Sequence, residues 1–192
     1  MSGEPARRPP TYADIEALPA NVVGEIIAGE LVVSPRPAPR HARAASALGG
    51  ILSGPFDFGH GGPGGWWILD EPELHLGVDA AFAAVVPDLG GWRRERMPAL
   101  PDEEAFFTLA PDWVCEVLSP RSAAMDRAEK LPFYGRAGVA FAWLVDPRAR
   151  TLEAFRQEGD GWRLVGSFRE DARVCCAPFD AVEIELRLLW AT

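Results

Sequence analysis

Residues 111–147, "PDWVCEVLSPRSAAMDRAEKLPFYGRAGVAFAWLVDP", hold two short apolar runs separated by a polar, helix-compatible segment. "PDWVCEVLS" is short, bounded by proline and rich in β-branched and aromatic residues, so it reads as a strand. "FAWLVDP" reads as a second strand, and Gly138 between them stands where a left-handed helix cap is common. Alternation along the first strand puts Cys115 and Val117 on one side and Glu116 and Leu118 on the other. Helical spacing puts Asp126, Lys130 and Tyr134, each four residues apart, on one face.

Working outward, "HARAASALGGIL" (41–52) is alanine-rich and helix-like, and follows a proline-containing stretch. "WWILDEPELHL" and "AAFAAVVPDLGGW" each read as one strand, which gives the order helix, three strands (at Trp66, Ala84 and Trp113), helix, strand. That order predicts an α/β sandwich with a central mixed sheet flanked by helices. Nearer the N-terminus, "TYADIEALPA" predicts a short helix begun by Thr11, and "GEIIAGELVVSP" predicts a hairpin about Ala28 and Gly29. Asp146 before Pro147 is a turn residue, and "LEAFR" and "GWRLVGSF" add C-terminal strands. The glycine cluster 59–65 is a loop without the GK[ST] ending of a phosphate-cradling turn, so no nucleotide cofactor is expected. A disordered tail over 1–10 and one domain over 11–192 are expected, since 192 residues suit a single core.

No apolar run reaches the roughly 18 residues that span a bilayer, and "MSGEPARRPP" lacks the apolar segment of a secretory signal. The expected address is the cytoplasm, without a membrane partner. Three cysteines, two of them adjacent, form neither a disulfide framework nor a CxxC metal knuckle, and read as reduced, mostly packed thiols. The net charge of −9 excludes a general nucleic-acid coat protein, which needs a surplus of Lys and Arg. The charge is uneven, however. Residues 117–150 carry six bases against three acids, Arg36, Arg40 and Arg43 cluster without an acid, and residues 67–116 carry eleven acids against three bases. A polyanion could lie along the first two regions if cations offset the third.

Two carboxylates stand in apolar company: Asp88 in "VVPDL" and Glu116 in "WVCEVLS". Burying either is costly unless something positive meets it. An arginine would serve, and so would a divalent cation shared by both, because Mg²⁺ takes hard oxygens, commonly one or two carboxylates plus waters and phosphates. Lys130 is the single lysine beside eighteen arginines. An ammonium is compact, and its pKa can shift, whereas guanidinium in practice never deprotonates. An ordinary Asp–Lys pair on a solvated helix face satisfies the same spacing.

"VVPDLGGWRRERMP", "PDWVCEVLSP" and "DRAEKLPFYGRAGVAFAWLVDP", in that order, resemble the Uma-type restriction-endonuclease family of the PD-(D/E)XK nuclease superfamily. The likeness runs from about Tyr12 to Trp190 and takes in "GEIIAGELVVSPRPAPRH" and "ILDEPELHLG". It implies a restriction-endonuclease-like sandwich with an αβββαβ core, an N-terminal hairpin and C-terminal strands. Asp88 matches the family's PD aspartate and Glu116 its second acid, and both are implied ligands of Mg²⁺ or Mn²⁺. The superfamily's usual lysine lies two residues after that acid, where this chain has Leu118. Lys130 resembles a lysine moved to the following helix.

Glu25, Glu71 and His41 resemble positions in family motifs and could complete the metal shell or orient substrate. A hairpin surface charge, a strand-end charge and a helix-start cap are their simpler readings. Asp126 is a further supporting candidate beside Lys130, and Arg36, Arg40 and Arg43 are candidates for the nucleic-acid backbone. Tyr134, Trp143 and Trp92 read as core. The expected activity is metal-dependent phosphodiester hydrolysis, with DNA as partner and a symmetric dimer supplying one centre per strand. The alternative is a nuclease-like module that binds nucleic acid or protein without cutting.

Overall fold

The computed structural model describes residues 8–78 and 81–191. Of the tail expected over 1–10, residues 1–7 lie outside the described part, and Arg8 pairs with Asp14 at 2.6 Å. Helix α1 (Tyr12–Glu16) starts after Thr11, whose backbone N–H and hydroxyl both donate to the Asp14 carboxylate, at 2.7 and 2.9 Å. Strands β1 (Val22–Ile27) and β2 (Glu30–Pro35) form the expected hairpin. Ala28 and Gly29 have φ of 51° and 77°, the left-handed pair that lets a two-residue turn follow the strand twist.

Helix α2 (Pro39–Leu52) opens two residues before the expected start, with Pro39 in the first turn where a missing N–H does no harm. It runs on into a wider π-turn at Ser53–Asp57, where Pro55 cannot complete the α hydrogen-bond pattern.

The two apolar stretches expected as single strands are each divided. "WWILDEPELHL" becomes β3 (Trp66–Asp70) and β4 (Leu74–Val78), and "AAFAAVVPDLGGW" becomes β5 (Ala81–Val85) and β6 (Leu89–Arg93). Pro72 and Pro87 cannot donate to a ladder, and Glu71, in the acidic break after β3, is left-handed with φ 45°. At each proline the chain changes sheet. The two corners touch: the Glu71 N–H donates to the Asp88 carbonyl at 3.1 Å.

Strands β1, β2, β4 and β5 make an antiparallel sheet of order β2-β1-β5-β4. Strands β3 and β6 join β7 (Trp113–Val117), β8 (Phe141–Asp146), β9 (Thr151–Glu158) and β10 (Gly161–Arg169) in a six-stranded sheet of order β10-β9-β8-β7-β6-β3. Its neighbours are antiparallel except β7 and β8, which run parallel, so the sheet is mixed. The β7–β8 crossover is helix α3 (Ala123–Met125), a π-turn at Asp126–Lys130 and helix α4 (Leu131–Arg136), closed by Gly138 at φ 87°. After β10 come the short pair β11 (Arg173–Val174) and β12 (Ile184–Glu185), then helix α5 (Arg187–Trp190). The architecture is the expected α/β sandwich.

Both faces of the six-stranded sheet are covered, which is why every residue of β7 is buried. Cys115, Val117, Trp143 and Val145 pack with Ala44, Leu48 and Leu52 of α2 and with Leu189 of α5. Phe179 fills this core, its ring 4.7–5.5 Å from the rings of Phe56, Trp66, Trp113 and Trp143. On the opposite face Val114 and Ala142 meet Leu74, Leu76 and Val85 of the smaller sheet and Phe133 and Tyr134 of α4. Trp92 and Trp143 are core residues, as expected, and Asp146 accepts from the N–H groups of Arg148 and Ala149 in its turn. Cys115 and Cys176 are buried, whereas Cys175 is exposed. Among the described residues no helix is long and apolar enough to cross a membrane.

Candidate active site

The smaller sheet, the C-terminal end of β7 and the crossover helices enclose a cleft of about 1010 Å³. Glu25, His41, Glu71, Asp88, Glu116, Asp126 and Lys130 all line it, and so does Arg36. Each arrives by a different local route. Glu25 sits on the buried half of β1, and Asp88 is the residue after the Pro87 corner. Glu116 lies on the face of β7 turned away from α2, and His41 lies in the first turn of that helix.

Lys130 reaches the cleft because of the π-turn. Pro132 lacks an N–H and its ring would clash with the carbonyl four residues back, so the helix widens before it. Asp126 and Lys130 are both buried inside the wider turn rather than on a solvated face.

The Lys130 side chain is 5% exposed, and its Nζ lies 2.9 Å from Glu25 Oε1 and 3.0 Å from Glu116 Oε1. It also donates to the Val86 carbonyl at 3.3 Å, so three acceptors of the chain surround an ammonium that has three protons to give. Glu25 Oε1 takes a second bond, from the Val86 N–H at 2.8 Å, which ties the hairpin to the Pro87 corner. Glu116 Oε1 is met by the Tyr134 hydroxyl at 2.5 Å. Asp88 Oδ2 accepts from the Val117 N–H at 2.6 Å and lies 3.3 Å from His41 Nε2. Asp88 is therefore fastened to the residue that follows Glu116.

The electrostatics follow from burial. Desolvation pushes the Glu116 carboxyl well above its ordinary pKa; Lys130 pulls it back, and Asp126, Asp88 and Glu25 push it further up. Burial likewise raises Asp126, against the opposing pull of Lys130 and the Ser122 hydroxyl. For Lys130 desolvation favours the neutral amine, but the attraction of Glu116, Glu25 and Asp126 outweighs it and holds the side chain protonated. His41 is raised on the same balance, burial opposing and Asp88, Asp126 and the Val117 backbone prevailing.

Six carboxylates, Glu25, Glu71, Glu73, Asp88, Glu116 and Asp126, thus line the cleft with Lys130, two arginines and the His41 imidazole. When all are ionised this leaves an excess of negative charge that a divalent cation would balance. Among the described residues no three His, Cys, Asp or Glu side chains form a ready-made metal cage. A hard cation that takes two carboxylate oxygens and fills its remaining positions with water and phosphate fits Asp88 and Glu116 without one.

The other sequence candidates are placed as follows. Glu71 is exposed at the cleft rim, its backbone bonded to Asp88. Arg36 lines the cleft and donates to the Ala20 carbonyl at 3.1 Å. Arg40 and Arg43 are exposed on α2 and are not among the residues lining the cleft. Two residues at the site escape a reading of the sequence. Arg121, exposed and lining the cleft, lies in the basic stretch 117–150, but nothing in that stretch singled it out from its other bases. Tyr134 reads as core and is fully buried, yet its hydroxyl ends on Glu116; the signal for it was the four-residue step from Lys130.

A family model, Uma2, described as "Putative restriction endonuclease", matches residues 9–187. Among solved structures the chain resembles a protein described as a putative nuclease belonging to DUF820 from Anabaena variabilis. The two share 22% identity over 95% of this chain and 98% of that one, with a TM-score of 0.74, a likeness of fold. A search of curated proteins found no match. With the family model covering nearly the whole chain, the protein belongs to the Uma2 restriction-endonuclease-like family.

Proposed function

We propose that the protein is a metal-dependent endonuclease that hydrolyses phosphodiester bonds in DNA. The observation that supports it most is the arrival of Asp88, Glu116 and Lys130, from three separate elements, on the floor of one cleft. Asp88 and Glu116 would hold Mg²⁺ or Mn²⁺. That ion supplies Lewis-acid polarisation of the phosphate and a water of lowered pKa. Lys130 opposes the rise that burial imposes on the Glu116 carboxyl and adds fixed positive charge beside the attacked phosphate. Its three protein acceptors make it an electrostatic group rather than a proton donor. Glu25 anchors that ammonium, and His41 orients Asp88. A symmetric dimer would supply the second centre needed to cut both strands of a duplex.

The test is incubation of supercoiled plasmid with the protein and Mg²⁺ or Mn²⁺. Nicked and linear products are expected, and EDTA is expected to abolish them. A matched RNA distinguishes the substrate. Intact plasmid at every metal concentration would remove the catalytic reading.

Arg121 and Arg36 are the arginines that line the cleft, and Arg121 stands four residues beyond Val117, the last residue of the Glu116 strand. Arg121→Ala is expected to weaken DNA binding with little change in kcat. It should also lower the slope of log affinity against log salt by about one, the effect of losing one phosphate contact. An unchanged slope would take Arg121 out of the interface.

The full complement of protein acceptors around Lys130, with Leu118 at the superfamily's usual lysine position, favours a second reading: a nuclease-like module that binds without cutting. Its signature is salt-dependent DNA binding without cleavage or divalent-metal uptake.

A further inference from the structure

This inference rests on the metal-dependent reading above and concerns a residue outside the three that define it. The chain has ten phenylalanines and seven tryptophans but two tyrosines, so its aromatic core is built almost entirely without hydroxyls. One of the two tyrosines is Tyr134, fully buried, with its ring 5.8 Å from Phe133 in an edge-on contact. Filling that space alone would call for phenylalanine, since a buried hydroxyl is a cost until it finds a partner. The partner here is Glu116 Oε1, at 2.5 Å, the same oxygen that Lys130 Nζ approaches to 3.0 Å.

Both groups converge on one oxygen, Oε1. A carboxylate turns freely about its last bond unless hydrogen bonds hold it. One donor fixes a distance, whereas two donors from successive turns of one helix segment fix the plane of the group. Lys130 ends the π-turn and Tyr134 lies within α4, so the same proline-widened segment delivers both. We propose that Tyr134 is a positioning residue: its hydroxyl, with the Lys130 ammonium, clamps Oε1 and presents Oε2 of Glu116 to the divalent cation. Hydrogen-bond partners of ligating carboxylates act in this way, and losing one typically costs about 10–100-fold in metal affinity.

Tyr134→Phe removes one oxygen atom and keeps the ring. Calorimetric titration of wild type, Tyr134→Phe and Asp88→Asn with Mn²⁺ alone separates the outcomes. The proposal expects Mn²⁺ affinity to fall about 10-fold in Tyr134→Phe while the fold, read by circular dichroism, is retained. It also expects kcat for plasmid nicking to fall more than KM rises. Wild-type affinity in Tyr134→Phe, with binding lost in Asp88→Asn, would overturn the positioning role and leave the metal reading intact. Absence of Mn²⁺ binding in wild type would overturn both.

A second measurement needs no variant at the site. Fluorotyrosine incorporated into the wild-type chain gives two resonances, assigned with Tyr12→Phe. Mg²⁺ is expected to shift the Tyr134 signal and leave that of Tyr12 in place. A Tyr134 signal indifferent to saturating Mg²⁺ would also overturn the clamp.

Discussion

Lys130→Met is expected to destabilise the protein by about 3–5 kcal/mol near neutral pH, the usual consequence of removing one partner from a buried ion pair. Methionine fills a similar volume, so little of the loss comes from packing. The loss comes from Glu25 and Glu116, which are left without their cation in a site where the Lys130 side chain is 5% exposed and Glu116 equally so. The deficit also has a pH signature. Burial already raises the Glu116 carboxyl above its unfolded value, and Lys130 is the group that opposes the rise. Without it the folded pKa moves higher still. A carboxyl so raised contributes stability that is complete below the unfolded pKa of about 4.3 and is lost as pH climbs through the folded value. The variant should therefore lag wild type most at pH 7–8 and approach it as the pH falls towards about 5. Urea unfolding of both proteins across that range measures it. A deficit independent of pH would mean that the cost lies in packing and not in stranded charge. Nicking should vanish in the same variant, since the proposed site loses both its fixed charge and the hold on Glu116.

Asp88→Asn is expected to abolish metal-dependent cleavage while changing stability by about 1 kcal/mol or less, because asparagine keeps an acceptor for the Val117 N–H and removes a charge that repels Glu116. The His41 imidazole loses its carboxylate partner in the exchange, a small opposing cost. Calorimetry with Mn²⁺ should show the heat of binding disappear. Cleavage at more than a few per cent of the wild-type rate would mean that the cation, if bound, is held elsewhere. The two variants should thus separate a residue on which both fold and proposed chemistry depend from one needed for chemistry alone.

Much of this arrangement was legible in the order of residues because it is written in short-range patterns. The Ala28–Gly29 hairpin, the cap at Gly138 and the strand–helix–strand unit at 111–147 each depend on neighbours within a few positions. Glu116 was conspicuous as a charge inside an apolar strand, and Lys130 as the one lysine. The division of "AAFAAVVPDLGGW" was harder to read, since apolar residues lie on both sides of Pro87 and Asp88 and composition does not say which sheet each half will join. That Lys130 pairs with Glu25, across the whole span from the first hairpin to the crossover, has no local signature at all. The wider turn that buries Asp126 was likewise hidden, because four-residue spacing describes an α-helix and Pro132 imposes a different one.

The two proline corners make the proposed centre a gauge of how the sheets sit against each other. Asp88 stands where the chain leaves the smaller sheet, with its carbonyl held by Glu71 at one corner and its carboxylate by Val117 of the larger sheet. Those two bonds hold Asp88 to the larger sheet, whereas Lys130 bridges Glu25 of the smaller sheet and Glu116 of the larger, so prising the layers apart would break that bridge before disturbing either ladder. Mild heat or denaturant should therefore silence such a centre while both layers are still intact.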